Sequence, residues 1–274
     1  MATTLSSTLA GARSRQSIVL SGAGHVGREV IELAGALGHA SMFLSQALGF
    51  VPRRPFRLAL VIEQIHFIGS RSLSIVMLTS AFTGLVLALQ GYNALVRFGA
   101  EQMVGALVAL SLTRELAPVL AALMVTARAG SAIAATLGNM RVTEQIDALK
   151  TMAIEPLSYL VVPRILSALF VAPMLTAVFT LTGLGVAAVF AVNVLGLDRA
   201  QFTSSVTDAI ESSDVTEGLV KSLTFAILMV WIATYRGFYA RGGAQGVGLA
   251  TTRAVVETSV LVLALDYVLT ALLF

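Results

Sequence analysis

The amino-acid sequence predicts an all-α integral membrane protein with about five transmembrane helices. Of its 274 residues, 57% are hydrophobic and only 12% are charged, and its mean hydropathy is +0.86. Soluble domains carry about 25% charged residues, roughly twice this share. The apolar residues also collect in runs of about 20 or more, the length needed to cross roughly 30 Å of hydrocarbon as an α-helix. A water-soluble globular protein is therefore nearly excluded.

Five apolar runs account for the predicted spans. The second is interrupted only by the adjacent pair Arg114 and Glu115. The third is longer than one perpendicular crossing requires, and Pro173, Gly183 and Gly185 offer places where it can bend. A polar segment at residues 198–217 predicts a short helix or loop on one surface. The five runs cover residues 72–96, 102–127, 165–197, 218–235 and 254–274.

The distribution of basic residues predicts the orientation, because short loops rich in Lys and Arg remain in the cytoplasm. With a cytoplasmic N-terminus, fourteen of the eighteen Lys and Arg lie inside. Arg97, Arg199 and Lys221 lie outside, and Arg114 lies within a span. An odd number of spans then places the C-terminus in the periplasm. The net charge of +3 is thus a topology signal and gives little support to nucleic-acid binding.

Residues 26–48 predict an amphipathic helix that lies along the inner membrane surface. Val30, Leu33 and Leu37 recur at helical spacing among charged residues, and Pro52 ends the pattern. The alternative is a soluble cytoplasmic helix packed against the rest of the protein.

Residues 22–27 read G-x-G-x-x-G, the fingerprint of a dinucleotide-binding turn. Such a site also needs an acidic residue about 20 positions further on and additional βαβ units. Residues 42–44 are apolar instead, and a proline-rich turn and a membrane span come after them, which leaves no room for a sheet. We therefore interpret these glycines as a flexible lead-in to the interfacial helix rather than as part of a nicotinamide enzyme.

The available residue types restrict the chemistry further. The absence of cysteine removes disulfides and thiolate sites. Neither lysine, Lys150 or Lys221, follows a glycine, so the chain has no P-loop and any ATP must be hydrolysed by another subunit. The three histidines lack the H-E-x-x-H spacing, so neither a metal site nor a catalytic residue is expected.

Charges inside the spans are the most informative polar residues, because each one costs about 2.5–3.5 kcal/mol near the bilayer centre. Arg114 and Glu115 lie almost midway along the second span, and Asp266 lies in the fifth. Adjacent helical residues point about 100° apart, so Arg114 and Glu115 cannot simply pair with each other. Two interpretations stay open: buried polar contacts within the bundle, or a cavity that handles a polar head group. We favour the cavity.

Residues 142–152, between the second and third spans, predict a short amphipathic helix on the cytoplasmic side. Ile146 and Leu149 share one face, Thr143 is the expected N-cap, and Pro156 should stop any further helix. A helix held at the membrane surface by two spans is suited to dock into a groove on a partner. An ordinary connecting helix is the alternative.

Six stretches resemble the MlaE-type permeases of ABC lipid transporters in both motif order and spacing. They include LTREL in the second span and RVTEQIDAL before the third. The resemblance covers roughly residues 60–274, and its stretches are residues 89–92, 109–119, 127–132, 140–149, 250–256 and 265–272.

The resemblance implies a homodimeric permease in the inner membrane of a diderm bacterium. Its implied partners are a separate ABC ATPase, which holds ATP and Mg, a periplasmic hexamer of MCE-domain protein and often a STAS-domain protein. The permease itself would hold no cofactor. The implied cargo is a phospholipid.

The resemblance also implies two sets of site residues. Arg114 and Glu115 match a charged pair near the lipid cavity, where Leu87, Leu95 and Phe98 would contact acyl chains, although Phe98 departs from the residue expected there. The second set resembles the coupling helix that inserts into the ATPase, and it comprises Thr143, Glu144, Gln145, Ile146, Asp147 and Leu149.

Together these observations predict a non-enzymatic subunit that moves phospholipid between the inner membrane and a periplasmic MCE carrier, and so maintains outer-membrane lipid asymmetry. Residues 1–59 would form a cytoplasmic segment with the interfacial helix, and residues 60–274 the permease domain. The competing hypotheses are an ion-coupled secondary transporter with Arg114, Glu115 and Asp266 as a relay, and an MCE-system permease for another lipid such as a sterol.

Overall fold

A computed structural model describes residues 35, 38–51 and 58–273 of the chain. Met1–Gln46 and Ala47–Phe274 form two separate units. Residues 38–50 are helical, which overlaps the second half of the predicted interfacial helix and continues two residues beyond it. Residues 26–34 and 36–37 of that helix, the G-x-G-x-x-G stretch and residues 52–57 lie outside the described residues. The position of the helix at the membrane surface and the domain division after residue 59 therefore stay predictions.

Five helices among the described residues are long and apolar enough to cross a membrane, which confirms the predicted fold class. Two short helices, α3 (Gln145–Thr151) and α5 (Arg199–Ala209), connect them. The spanning helices are α1 (Leu58–Phe98), α2 (Glu101–Val142), α4 (Leu157–Asn193), α6 (Ser212–Phe238) and α7 (Gly243–Leu273).

The spanning helices extend beyond the apolar runs that predicted them. Helix α1 begins at Leu58 rather than residue 72, and α2 ends at Val142 rather than residue 127. Hydropathy marks only the part of a helix that lies in hydrocarbon. The backbone hydrogen bonds continue where the helix enters the interface, so polar residues extend it.

Helix α4 corrects the expectation for Pro156. Pro156 does not stop a helix; it is the N-cap of the π-helical turn that opens α4, where its fixed φ suits a helix start. The helix then runs through Pro173 without a break. Gly183 lies where α1 and α4 approach each other, since a Cβ on Gly84 would overlap the Gly183 carbonyl oxygen.

A stripe of mostly small, buried residues runs along α1, and its central part packs against α4. In a lipid environment, small side chains let helix backbones approach closely and gain van der Waals contact. Ser80 of the stripe also donates a hydrogen bond to the Phe179 carbonyl of α4. The stripe recurs at nearly every fourth position and comprises Ser72, Val76, Ser80, Gly84, Ala88 and Gly91.

Helix α6 lies directly against α2. A Cβ on Gly218 would lie 2.8 Å from the Thr113 carbonyl oxygen, and one on Gly237 would lie 2.7 Å from that of Ala134. These two glycines, 19 positions apart, thus allow the backbones of α6 and α2 to touch near both ends of α6. Helix α7 packs on the same pair of helices and shares an apolar core with them, formed by Val119, Phe225, Leu228, Ile232 and Val262.

Candidate functional site

Charged side chains from α2, α6 and α7 meet inside the bundle and form what we call the central network. It contains two cations and three carboxylates in two linked groups. The charged residues are Arg114 and Glu115 of α2, Asp214 and Lys221 of α6, and Asp266 of α7. The hydroxyl of Thr270 on α7 accepts a hydrogen bond from Lys221.

The first group pairs Arg114 with Asp214. The guanidinium Nε and Nη2 both lie 2.5 Å from Asp214 Oδ1. Asp214 is completely buried, whereas the Arg114 side chain keeps 29% of its surface exposed. Asp214 Oδ2 also accepts a 2.8 Å hydrogen bond from the Glu211 backbone N–H as half of a capping box. One carboxylate therefore begins helix α6 and fixes the position of Arg114.

The second group is centred on Lys221, which is completely buried. Its Nζ donates to Glu115 Oε2 at 2.7 Å, to Thr270 Oγ1 at 2.8 Å and to the Arg114 carbonyl oxygen at 3.1 Å. It also lies 3.3 Å from Asp266 Oδ1, an ion-pair distance without hydrogen-bond geometry. A buried ammonium is tolerable only with such a complete set of partners.

A π-helical turn lets the adjacent residues Arg114 and Glu115 serve both groups. Residues Ser111–Leu116 form this turn within α2. A π turn widens the helix and breaks the regular i to i−4 pattern of hydrogen bonds, so a carbonyl can accept from elsewhere. Lys221 uses the Arg114 carbonyl in this way. The two partners on α6, Asp214 and Lys221, lie seven residues apart and therefore on one face.

The structure corrects the placement of Lys221. The sequence assigned it to the outer surface near the end of the fourth span, but it is buried among the helices. Asp214, assigned to a polar surface segment, is likewise a buried first-turn residue of α6. Their seven-residue spacing, which places both on one helical face with an acid and a base, is the sequence signal that could have identified them.

A largely apolar groove of about 340 Å³ lies beside the central network, between α2, α4 and α6. Thr113, the neighbour of Arg114, lines it together with Gly218 of α6. Thr113 Oγ1 is buried and has no hydrogen-bond partner among the described residues. The apolar wall includes Pro173, Leu181, Leu184, Val215 and Leu219. The Thr113 hydroxyl thus lies next to an aliphatic surface.

The three residues expected to contact acyl chains lie on α1, outside its buried stripe. Leu87 and Leu95 are partly buried, and Phe98 is 83% exposed. The hydrogen bonds and ion pairs of the central network come from α2, α6 and α7. The structure therefore brings Arg114 and Glu115 together with Asp214 and Lys221, and the role of the three α1 residues stays a prediction.

The short helix α3 begins later than expected. Thr143 does not cap it, because its hydroxyl donates 2.8 Å to the Asn139 carbonyl at the end of α2. Glu144 occupies the N-cap position with φ of 59°, a left-handed conformation uncommon for residues other than glycine, so a sharp turn separates the two helices. A threonine can bond backward to the preceding helix as readily as forward to the next one.

Helix α3 is anchored on one side and open on the other. Ile146 is completely buried, and Leu149 is half-buried. Asp147 accepts two hydrogen bonds from Arg141 Nη1, at 2.8 and 2.9 Å, and these bonds hold the pKa of that carboxyl below its usual range. Glu144 and Gln145 point outward at the beginning of the helix. The exposed face therefore starts at the sharp turn at Glu144.

Comparisons with known proteins agree on one family. Residues 61–272 match the family model described as Permease MlaE. A probable ABC transporter permease protein of Rickettsia conorii is 43% identical over 252 residues, which are 92% of this chain and 97% of that protein. The intermembrane phospholipid transport system permease protein MlaE of Haemophilus influenzae is 39% identical, over 91% of this chain and 96% of its own.

A more distant relative comes from a plant. The chloroplastic protein TRIGALACTOSYLDIACYLGLYCEROL 1 of Arabidopsis thaliana is 33% identical over 213 residues, which are 78% of this chain and 61% of that protein.

Proposed function

From the premise that the chain belongs to the MlaE permease family of ABC transporters, we propose that it moves phospholipid between the inner membrane and a periplasmic MCE-domain carrier, and so maintains outer-membrane lipid asymmetry. The observation that carries the proposal is a charged network beside an apolar groove. A phospholipid has a charged head group and two apolar chains. Its path therefore needs a charged surface and an apolar surface next to each other. Arg114, the network cation with an exposed side chain, is the group we assign to the head group.

We assign the remaining parts of the transporter to other chains. A separate ABC ATPase would bind ATP and Mg, and a hexamer of MCE-domain protein would receive the lipid. A STAS-domain protein often accompanies such ATPases. Two copies of this chain would form the permease, with the N-terminus in the cytoplasm and the C-terminus in the periplasm, because fourteen basic residues then lie inside.

Helix α3 is the part that would contact the ATPase. Its buried Ile146 fixes the helix to the permease, while Glu144 and Gln145 remain exposed for a partner. Movement of the ATPase subunits could then pass through the sharp turn at Glu144 into α2, which carries Arg114 and Glu115.

Transfer of a fluorescent phospholipid from proteoliposomes to the MCE carrier tests the proposal. The chain is reconstituted with its ATPase, and we expect transfer that requires ATP. Arg114→Ala should leave the complex assembled but lower both transfer and the phospholipid that copurifies. Arg199→Ala, which removes an exposed arginine of α5, is the matched control and should transfer normally.

Three outcomes would contradict the proposal. Transfer driven by a proton gradient without ATP would favour an ion-coupled secondary transporter. Preferred transfer of a sterol over phospholipid would assign another cargo. Normal lipid content in Arg114→Ala would remove this residue from the lipid path.

A further inference from the structure

A basic cavity lies between the ends of α6 and α7, separate from the central network. Its volume is about 220 Å³. Three arginines and two tyrosines line it: Arg236, Arg241, Arg253, Tyr235 and Tyr239. This end of the bundle is also the end of α2, because a Cβ on Gly138 would lie within 3.4 Å of Val247 and Ala240 side chains. The cavity therefore lies on the same side of the membrane as α3.

The cavity carries an excess of positive charge. The charge of Arg236 is neutralised by Glu257, because its Nε and Nη2 donate to the two carboxylate oxygens of that residue at 2.7 and 2.6 Å. Within residues 58–273, neither Arg241 nor Arg253 forms an ion pair with a carboxylate. Two guanidinium groups thus remain available to an anion at one cavity.

The two tyrosines add uncharged aromatic side chains to the basic wall. Burial first and the neighbouring Tyr235 second raise the pKa of Tyr239, and the charge of Arg141 on α2 opposes the rise. Tyr239 therefore keeps its hydroxyl proton near pH 7. Arg141 is itself paired with Asp147. The two tyrosine rings pack with centroids 5.2 Å apart, which positions both at the cavity wall.

The surroundings of the cavity favour a lipid over a soluble anion. It lies at the ends of two spanning helices, at the level where tyrosines commonly meet lipid head groups. Leu249 lines the cavity and is 53% exposed, so an apolar surface continues from the basic wall. Arginine forks match phosphate oxygens in geometry as well as charge.

We propose that this cavity binds the phosphate of an anionic phospholipid from the adjoining leaflet, through Arg241 and Arg253. Basic pockets between spanning helices on the cytoplasmic side are known to select such head groups. In the orientation proposed above the leaflet is the cytoplasmic one. The site is distinct from the transport path, and its occupancy does not depend on the proposed transport activity.

The single tryptophan provides a probe. Trp231 lies one turn before Tyr235 on α6, about 6 Å toward the middle of the helix, where the acyl chains of a lipid bound at the cavity would begin. Brominated acyl chains quench tryptophan fluorescence on contact. We would titrate the purified full chain in detergent micelles with brominated phosphatidylglycerol and, separately, with brominated phosphatidylcholine, and we expect quenching at a lower mole fraction of the anionic lipid.

Variants identify the site. Arg241→Gln with Arg253→Gln should weaken the preference for phosphatidylglycerol by about fivefold for each arginine removed. Arg241→Lys with Arg253→Lys keeps the charge and should retain most of the preference. The matched control, Arg97→Gln with Arg199→Gln, removes two exposed arginines elsewhere and should behave like the wild type. Circular dichroism checks that each variant remains folded.

Several results would overturn the proposal. Equal quenching by the two lipids would show that the cavity has no head-group preference, and a preference that survives in the Gln double variant would place it elsewhere. Loss of the preference when millimolar inorganic phosphate is added would assign the cavity to a soluble anion. A Gln double variant that keeps the preference but no longer copurifies with the ATPase would make the cavity a protein contact.

Discussion

Two helix contacts in this bundle are built from opposite residue types. Where α1 meets α4, Gly84 approaches Gly183 so closely that a Cβ would overlap a carbonyl oxygen, and Ser80 supplies a hydrogen bond. Where α2 meets α6 and α7, five charged side chains meet, and Asp214 and Lys221 are completely buried. Both contacts lie within helices long enough to span a membrane.

The difference in residue type indicates that the two contacts have different roles. Lipid tails are as apolar as leucine side chains, so helices in a membrane associate through close packing and a few hydrogen bonds, as α1 and α4 do. Charges add desolvation penalties that their mutual attraction only partly offsets. The intact central network therefore adds little net stability over an apolar contact of the same size, although removing one partner from it is costly. Its arrangement beside a groove favours a role in moving a charged ligand.

The largest expected effect comes from removing the buried cation of the central network, Lys221. Lys221→Met leaves Glu115 and Asp266 without their ammonium partner. Leaving a fully buried charge unpaired costs about 3–5 kcal/mol. Because Glu115 and Asp266 keep 36% and 21% of their side-chain surface exposed, solvent screens part of this loss, and we expect about 2–3 kcal/mol. Reversible unfolding in mixed micelles with sodium dodecyl sulfate, followed by circular dichroism, measures the loss in unfolding free energy.

The chain supplies its own control for this comparison. Lys150, the other lysine, lies on α3 with 56% of its side chain exposed, and Lys150→Met should change the unfolding free energy by well under 1 kcal/mol. Equal losses for the two lysine variants would mean that burial of the network contributes nothing, and the contrast between the two contacts would fail.

The sequence predicts the parts of the fold that depend on local composition. Five spans and a short connecting helix can be derived from apolar runs and helical spacing, because insertion into a membrane is decided segment by segment. Arg114 and Glu115 are visible for the same reason, since a charge within an apolar run needs an explanation. Helix ends are harder to predict from the sequence, because the Thr143 hydroxyl can form a hydrogen bond with either of two helices.

Contacts between distant residues are the part that the sequence does not reveal. Lys221 and Glu115 are 106 positions apart, and hydropathy places Lys221 at a membrane edge rather than inside the bundle. Gly183 shows the same limit. A glycine in a long apolar helix is compatible with a bend and with a close approach, and only the position of Gly84 on the neighbouring helix reveals the close approach.

A second prediction tests the packed contact with the smallest possible side chain. Gly84→Ala forces the added methyl group against the Gly183 carbonyl, so α1 and α4 must separate, and overpacking of this kind costs about 1–3 kcal/mol. Gly185→Ala is the matched control on α4, where nothing lies within 4 Å of the added Cβ. There alanine should stabilise the helix by about 0.5–1 kcal/mol. The two variants should thus shift the same unfolding transition in opposite directions, and a shared sign would contradict the assignment of the close contact.

The smallest expected effect concerns the polar group of the packed contact. Ser80→Ala removes the hydrogen bond to the Phe179 carbonyl but keeps the small volume that lets the helices approach. Hydrogen bonds between helices in membranes contribute about 0.6 kcal/mol on average, because the unfolded chain in the bilayer also finds partners. The Ser80→Ala loss should therefore be several times smaller than the Lys221→Met loss in the same micelles. If Ser80→Ala were as damaging as Lys221→Met, the contact between α1 and α4 would depend on polarity as strongly as the central network does. Packing alone would then no longer explain why the contact around Gly84 and Gly183 is built from small residues while the central network has five charges.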